Sequence, residues 1–201
     1  MKKFNLTSVS KFYNQKYIQY GNSLKSIGWS NKKDQDLRFE KLLLNYDLKN
    51  KVILDVGCGF GDLYFYIKKN FKCNFKYIGI DISNHILERA KKKVKYSNAK
   101  FYNCDLLSYI SKKVDISVLS GSLTLNFKNS NAYFNEVIRK MYKISKLSCS
   151  INFMSSYCDY KLAKNKHFNP ESIFKLSKKI SNKVNLIHDY PLFEFTIQLI
   201  K

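Results

Sequence analysis

Residues 52–67, VILDVGCGFGDLYFYI, run an apolar strand into an acid, set glycines at 57, 59 and 61, and continue as a helix. Alternate glycines at a strand-to-helix turn let the backbone bend sharply and let a ligand approach the main chain. Such a turn alone is shared by binders of dinucleotides, phosphates and adenosine. Here the form is G-x-G-x-G, with Asp62 where the dinucleotide fingerprint needs its third glycine, and no Lys-Ser/Thr follows as in a phosphate-binding loop. A negative Asp62 at the helix start also suits a ligand without a pyrophosphate.

Two further acids extend the pattern. Asp81 ends KYIGID one βαβ unit beyond Gly57, where an acid at the tip of the neighbouring strand can accept from both ribose hydroxyls. Asp105, in FYNCDLL, closes the next strand, where a carboxylate can accept from an exocyclic adenine N–H. Each acid alone reads equally well as a helix cap or a solvated loop residue. With Asp55 beside the turn, three strand-end acids at βαβ spacing form a constellation.

The elements that must position these acids follow from periodicity. After residue 50 strands and helices alternate, the signature of a parallel α/β sheet with crossover helices. The pattern predicts strands at 51–56, 76–81, 99–103, 114–119, 147–153, 183–188 and 192–200, with helices starting near 61, 83, 106, 131 and 170. Phe134, Val137, Ile138 and Met141 make a core-facing helical stripe. The last helix opens at NPES, with Asn169 as N-cap and Pro170 at the first helical position. HDYP leaves room only for a hairpin before the final strand, which must then run antiparallel. Ahead of the sheet, helical patterns near 8–20 and 33–46 are predicted. In the second, Phe39, Leu42, Leu43 and Tyr46 form an apolar stripe, and Gln35, flanked by Arg38, projects onto the same face as an amide in need of a partner.

Composition bounds the rest. A chain of 201 residues with 45% apolar and 15% aromatic residues is expected to bury one core, and it has no apolar run of membrane-spanning length or secretory type. The expectation is a soluble, cytoplasmic protein with no membrane partner. The cysteines at 58, 73, 104, 149 and 158 include no C-x-x-C pair, and His85, His167 and His188 have no ligand spacing with them, so free thiols and no metal are expected. The net charge of +21 points toward nucleic acid, but arginine occurs only at 38, 89 and 139. Lysine, Asn, Ile, Phe and Tyr are all abundant, which is also the residue usage of an A/T-rich genome.

On LDVGCGFG, GIDIS and CDLL the chain resembles the class I S-adenosylmethionine (SAM)-dependent methyltransferases, and VDISVLSGSL looks like the strand and loop that face the methyl group. The resemblance covers 51–201 and implies a Rossmann-like seven-stranded mixed sheet of order 3-2-1-4-5-7-6, with helices on both faces and the last strand antiparallel. It implies that Asp55, Gly57, Cys58, Gly59 and Gly61 hold the methionine part of SAM. Asp81 and Ile82 would hold ribose and adenine, Asp105 and Leu106 the adenine edge, and Ser120 would lie under the sulfonium. GWSNKKDQDLRFE is similar to a helical lid of small-molecule members, with Trp29 and Gln35 as matches and Arg38 beside them; SAM would then be the partner that Gln35 needs. The implied organisation is a lid over 1–48 and a SAM-binding core over 49–201.

The acceptor is narrowed by what is missing. SGSLTLN stands where adenine-N6 and glutamine methyltransferases carry Asn/Asp-Pro-Pro-Tyr/Phe, and no Pro-Cys dipeptide supplies the nucleophile used on cytosine C5. The lid and the loop 154–169 are expected to enclose a small acceptor, methylated on O or N with S-adenosylhomocysteine as the other product. Asn126, Tyr157 and His167 are the candidates to orient or deprotonate it. An RNA methyltransferase, served electrostatically by the positive charge, is the alternative. A SAM-binding module without turnover is a third reading.

Overall fold

The computed structural model describes residues 4–110 and 113–201. Its centre is a seven-stranded sheet of β1 (Val52–Val56), β2 (Lys76–Asp81), β3 (Ala99–Asn103), β4 (Val114–Leu119), β5 (Ser145–Met154), β6 (Lys183–Ile187) and β7 (Glu194–Ile200), in the order β3-β2-β1-β4-β5-β7-β6. Pairing is parallel from β3 through β5, and β7 alone runs against its two neighbours. The expected order and the reversed last strand are both present.

Alternation along the strands gives the sheet two apolar faces. Leu54, Val114 and Leu119 pack with Phe134, Val137, Ile138 and Met141 of α5 (Ser130–Ile144), the predicted stripe. Ile53, Ile116 and Val118 pack on the other side with Leu63, Tyr64 and Ile67 of α3 (Asp62–Phe71). Two more helices follow β2 and β5: α4 (Asn84–Lys93), capped by Ser83, and α6 (Pro170–Lys178), capped by Asn169, whose side chain accepts from the Ser172 N–H.

The structure departs from the sequence pattern in the connections. No helix starts at 106: after β3 the described chain makes a single turn, in which the Tyr109 N–H donates to the carbonyls of Asp105 and Leu106. The Asp105 side chain accepts from the Leu107 N–H, as a helix N-cap does, but the described chain turns only once. β7 begins at Glu194 rather than 192. Pro191 has no N–H to offer a ladder, and Leu192 and Glu194 bond back to the carbonyls of Tyr190 and Leu192, giving a link of consecutive tight turns.

The N-terminal segment forms α1 (Thr7–Tyr20), a short 3₁₀ turn at Leu24–Ile27, and α2 (Lys32–Leu43), capped by Asn31. The Asn31 side chain accepts from the Asp34 N–H. Phe39, Leu42 and Leu43 of α2 are at most 4% exposed and share the cluster of β1, β4 and α3. Gln198 of β7 reinforces this docking by donating to the Leu44 carbonyl. Among the described residues, no helix is long and apolar enough to cross a membrane.

Leu42 is fully buried, so Leu42→Ala should lower global stability by about 2–5 kcal/mol. Denaturant titration should show one shifted transition. An unchanged main transition would mean that α2 is a detachable lid rather than part of the core.

Candidate functional site

The strands β1, β2 and β3 end at the same rim of the sheet, and the acid at or just beyond each end faces one cleft. Asp55, Asp81 and Asp105 all line it. The glycine turn forms the floor: Gly57, Cys58 and Gly59 line the cleft, and the N–H groups of Gly57 and Cys58 donate to the Ile80 carbonyl. Gly57, Gly59 and Gly61 all have positive φ, so the turn takes a backbone path that side chains oppose.

Asp55 is buried, Asp81 and Asp105 are half-buried, and each is held. The Tyr77 hydroxyl donates to Asp55 at 2.6 Å. Asp81 accepts from the N–H of Gly59 at 3.0 Å with one oxygen and from that of Ser83 at 2.8 Å with the other. Asp105 accepts from the Tyr133 hydroxyl at 2.5 Å and from the Leu107 N–H at 3.2 Å. Burial pushes the Asp55 carboxyl up to about 7 despite the Tyr77 bond. It pushes Asp81 to about 6, against the pull of the Ser83 and Gly59 N–H groups. Burial also raises Asp105, opposed by its bonds from Tyr133 and Leu107.

The lid roofs this cleft. Leu6, Val9 and Tyr13 of the N-terminal segment line it, as do Ile27, Trp29 and Gln35. α1 is pinned to the loop after β2: the Ser10 hydroxyl donates to the Ile82 carbonyl, and the Ser83 hydroxyl donates to Asn14 Oδ1 at 2.6 Å. Two glycines receive the roof. A Cβ on Gly59 would sit 3.5 Å from the Ile27 side chain, and one on Gly121 would lie 2.6 Å from the Trp29 ring.

Of the other residues expected to hold a cofactor, Ile82, Leu106 and Ser120 line the cleft. Gly61 stands behind it, facing Val94 and Phe101. Arg38 is outside the lining; its guanidinium pairs with Glu194 and stacks on Trp29. Gln35 finds its partners within the protein, donating to Asp62 and accepting from Lys32. Asp62 in turn pairs with Lys93.

The three residues expected to serve the acceptor are not brought into the cleft. Asn126 accepts from the Ser130 hydroxyl, although its neighbours Leu125 and Phe127 do line the space. Tyr157 is 57% exposed and donates to Glu171. His167 is bonded through Nδ1 to the Ser155 carbonyl. The loop that carries it reaches the site indirectly, by a bridge between Asn165 and the cleft residue Leu125. Tyr13, Tyr77 and Tyr133 went unnoticed in the sequence; Tyr133 lies on the α5 stripe, where an aromatic residue reads as core. Among the described residues, no group of three or more His, Cys, Asp or Glu is placed to hold a metal ion.

Two features fit SAM in this space. The Ser120 hydroxyl is buried without a hydrogen-bond partner and belongs to the lining, so a polar group is left for a ligand. Three carboxylates facing one hollow also suit a ligand that bears positive charge.

Comparison with known proteins agrees with this geometry. Residues 47–194 match the family described as Methyltransferase domain. A Mycobacterium tuberculosis protein named as a methyltransferase, Rv1506c, is 31% identical over 154 residues, spanning 72% of this chain and 90% of its own length. The fold is similar to that of magnesium protoporphyrin IX methyltransferase from Synechocystis, solved with SAM, with a TM-score of 0.70 at 16% identity over 100% of this chain and 98% of that one. Human N-acetylserotonin methyltransferase, also solved with SAM, gives a TM-score of 0.70 at 14% identity, covering 98% of this chain and 58% of that one. The chain belongs to the methyltransferase-domain family and is a class I SAM-dependent methyltransferase.

The raised Asp55 value has a definite sign. Its folded-state value of about 7 lies above the ordinary 3.8, so the ligand-free fold holds that proton more tightly than the unfolded chain does. The stability this contributes is complete below the unfolded value and is lost as pH rises toward 7. Asp55→Asn removes the titration, so ligand-free D55N should melt above wild type at about pH 8 and lose that advantage near about pH 4. Equal melting temperatures at the higher pH would contradict the buried charge.

Proposed function

We propose that the protein transfers the methyl group of SAM to an oxygen or nitrogen of a small acceptor enclosed beneath the lid. The observation that carries this reading is the lining of the cleft. The chain has a net charge of +21, yet among the described residues no Lys, Arg or His lines the space, whereas three aspartates do. An RNA methyltransferase meets phosphates with basic side chains around its mouth; what favours the small acceptor here is that the described lining itself is acidic and apolar. The apolar remainder, including Val9, Ile27, Leu123, Leu125 and Phe127, suits an acceptor with a substantial apolar face.

When bound, SAM supplies a methyl carbon activated by positive sulfur. Asp55, Gly57, Cys58 and Gly59 are assigned to its methionine end, Asp81 and Ile82 to ribose and adenine, and Asp105 and Leu106 to the adenine edge. Each Asp81 oxygen accepts one backbone N–H and keeps acceptor capacity for a ribose hydroxyl. Ser120 is assigned to the sulfonium side, where its hydroxyl lacks a protein partner. Trp29 and Tyr13 close the space from the lid and exclude water.

The protein's contribution is then chiefly orientation, which can amount to roughly 7–11 kcal/mol of a barrier. Asn126, Tyr157 and His167 stand outside the lining, so this reading favours an acceptor that is nucleophilic without a strong base, such as an amine or an acidic hydroxyl. The lid (1–48) and the core (49–201) act as one unit, since both wall the same cleft.

Asp81→Ala should weaken SAM binding by about 1.5–3 kcal/mol for each charge-assisted hydrogen bond lost. Calorimetry checks this, and unchanged affinity would remove the ribose assignment. With labelled SAM, wild-type protein should methylate components of a small-molecule pool and leave total RNA unlabelled. Label appearing only in RNA would overturn the acceptor reading.

A further inference from the structure

We propose that Glu194 and Arg38 are positioning residues for methyl transfer, holding Trp29 closed over the donor end of the cleft. Glu194 is the first residue of β7, fixed in the sheet opposite Met154. Its two oxygens accept from Arg38 Nε and Nη2, both at 2.6 Å. The other side of Arg38 meets Trp29, with the guanidinium carbon 4.4 Å from the ring centroid. Trp29 in turn covers Gly121, where a Cβ would lie 2.6 Å from the ring. Gly121 follows Ser120, whose buried hydroxyl has no partner. A strand of the sheet therefore reaches the roof of the cleft through a carboxylate, a guanidinium and an indole in series.

The pair suits orientation better than cohesion. Glu194 and Arg38 are 7% and 9% exposed, and a buried ion pair of this kind can often be exchanged for apolar residues with little loss of stability. What apolar side chains cannot reproduce is direction. The planar guanidinium accepts one geometry from the fork of Glu194 and presents a flat cationic face to the indole. Lysine would supply charge without either constraint.

Arg38 thus serves a ligand it does not touch. The proposal rests on the assignment of the methionine end of SAM to the region beneath Trp29. Trp29 is the sole tryptophan of the chain, so its emission reports directly on the roof.

The test compares wild type, E194Q and the apolar double variant R38M/E194L by melting temperature, tryptophan emission, acrylamide quenching and calorimetric titration with S-adenosylhomocysteine. Wild type should bind the ligand, with Trp29 becoming less accessible to acrylamide. The double variant should melt close to wild type, show a red-shifted and more quenchable Trp29, and bind about tenfold more weakly, a loss of the size expected when a desolvated cation–π contact and its ordering disappear. E194Q should move in the same direction by less, and it carries the test if the double variant does not fold. Wild-type affinity in the variants overturns the proposal, as does weakened binding with unchanged Trp29 emission and quenching. Failure of the wild type to bind would instead remove the cofactor assignment, and the positioning role with it.

Discussion

Three carboxylates drawn out of water at one rim of the sheet are the constraint on which this cleft depends. Their burial is costly, since desolvation raises all three, and each survives because specific donors face it. Those donors are also the parts that shape the site. Asp81 ties the glycine turn to the end of β2 through Gly59 and starts the next loop through Ser83. Asp105 ties the turn after β3 to α5 through Tyr133. Asp55 ties β1 to β2 through Tyr77. Asp81 and Asp62 also repel the Asp55 carboxylate, and a ligand carrying positive charge would relieve part of that repulsion.

The lid answers a second constraint, that a transferring methyl must be shielded from water. Its helices are held in different ways. α1 is attached by polar contacts to the loop after β2, whereas α2 is buried apolar structure continuous with the core. Between them, Ile27 packs over Gly59, and Trp29 closes onto Gly121, where a Cβ would lie 2.6 Å from the ring. The glycines therefore serve the roof as well as the floor.

Much of this was legible in the sequence, and the failures share a cause. Local periodicity and strand-end chemistry revealed the strands, their order through the family resemblance, and the acids at 55, 81 and 105. Leu106, Leu107 and Tyr109 look helical and Asp105 caps the Leu107 N–H as at a helix start, so nothing local in the sequence distinguishes the single turn of the described chain from a helix at 106. Gln35 lines the cleft and Arg38 stands outside it; their protein partners, Asp62 and Glu194, are distant in the chain and cannot be paired by spacing. Asn126, Tyr157 and His167 have suitable chemical types near the strand tips. Their side chains are engaged by Ser130, Glu171 and Ser155, contacts that only the folded loop brings together. Tyr77 and Tyr133 went unnoticed for the opposite reason, since aromatic residues on core-facing positions give no sign that a hydroxyl is serving an acid.

The most direct test of the central claim is a crystal structure of the complex with S-adenosylhomocysteine. The account predicts the nucleoside in this cleft, with ribose hydroxyls on Asp81, the adenine edge at Asp105 and the indole of Trp29 closed above the sulfur. Ligand bound elsewhere, or bound here without contact to Asp81 and Asp105, would contradict it.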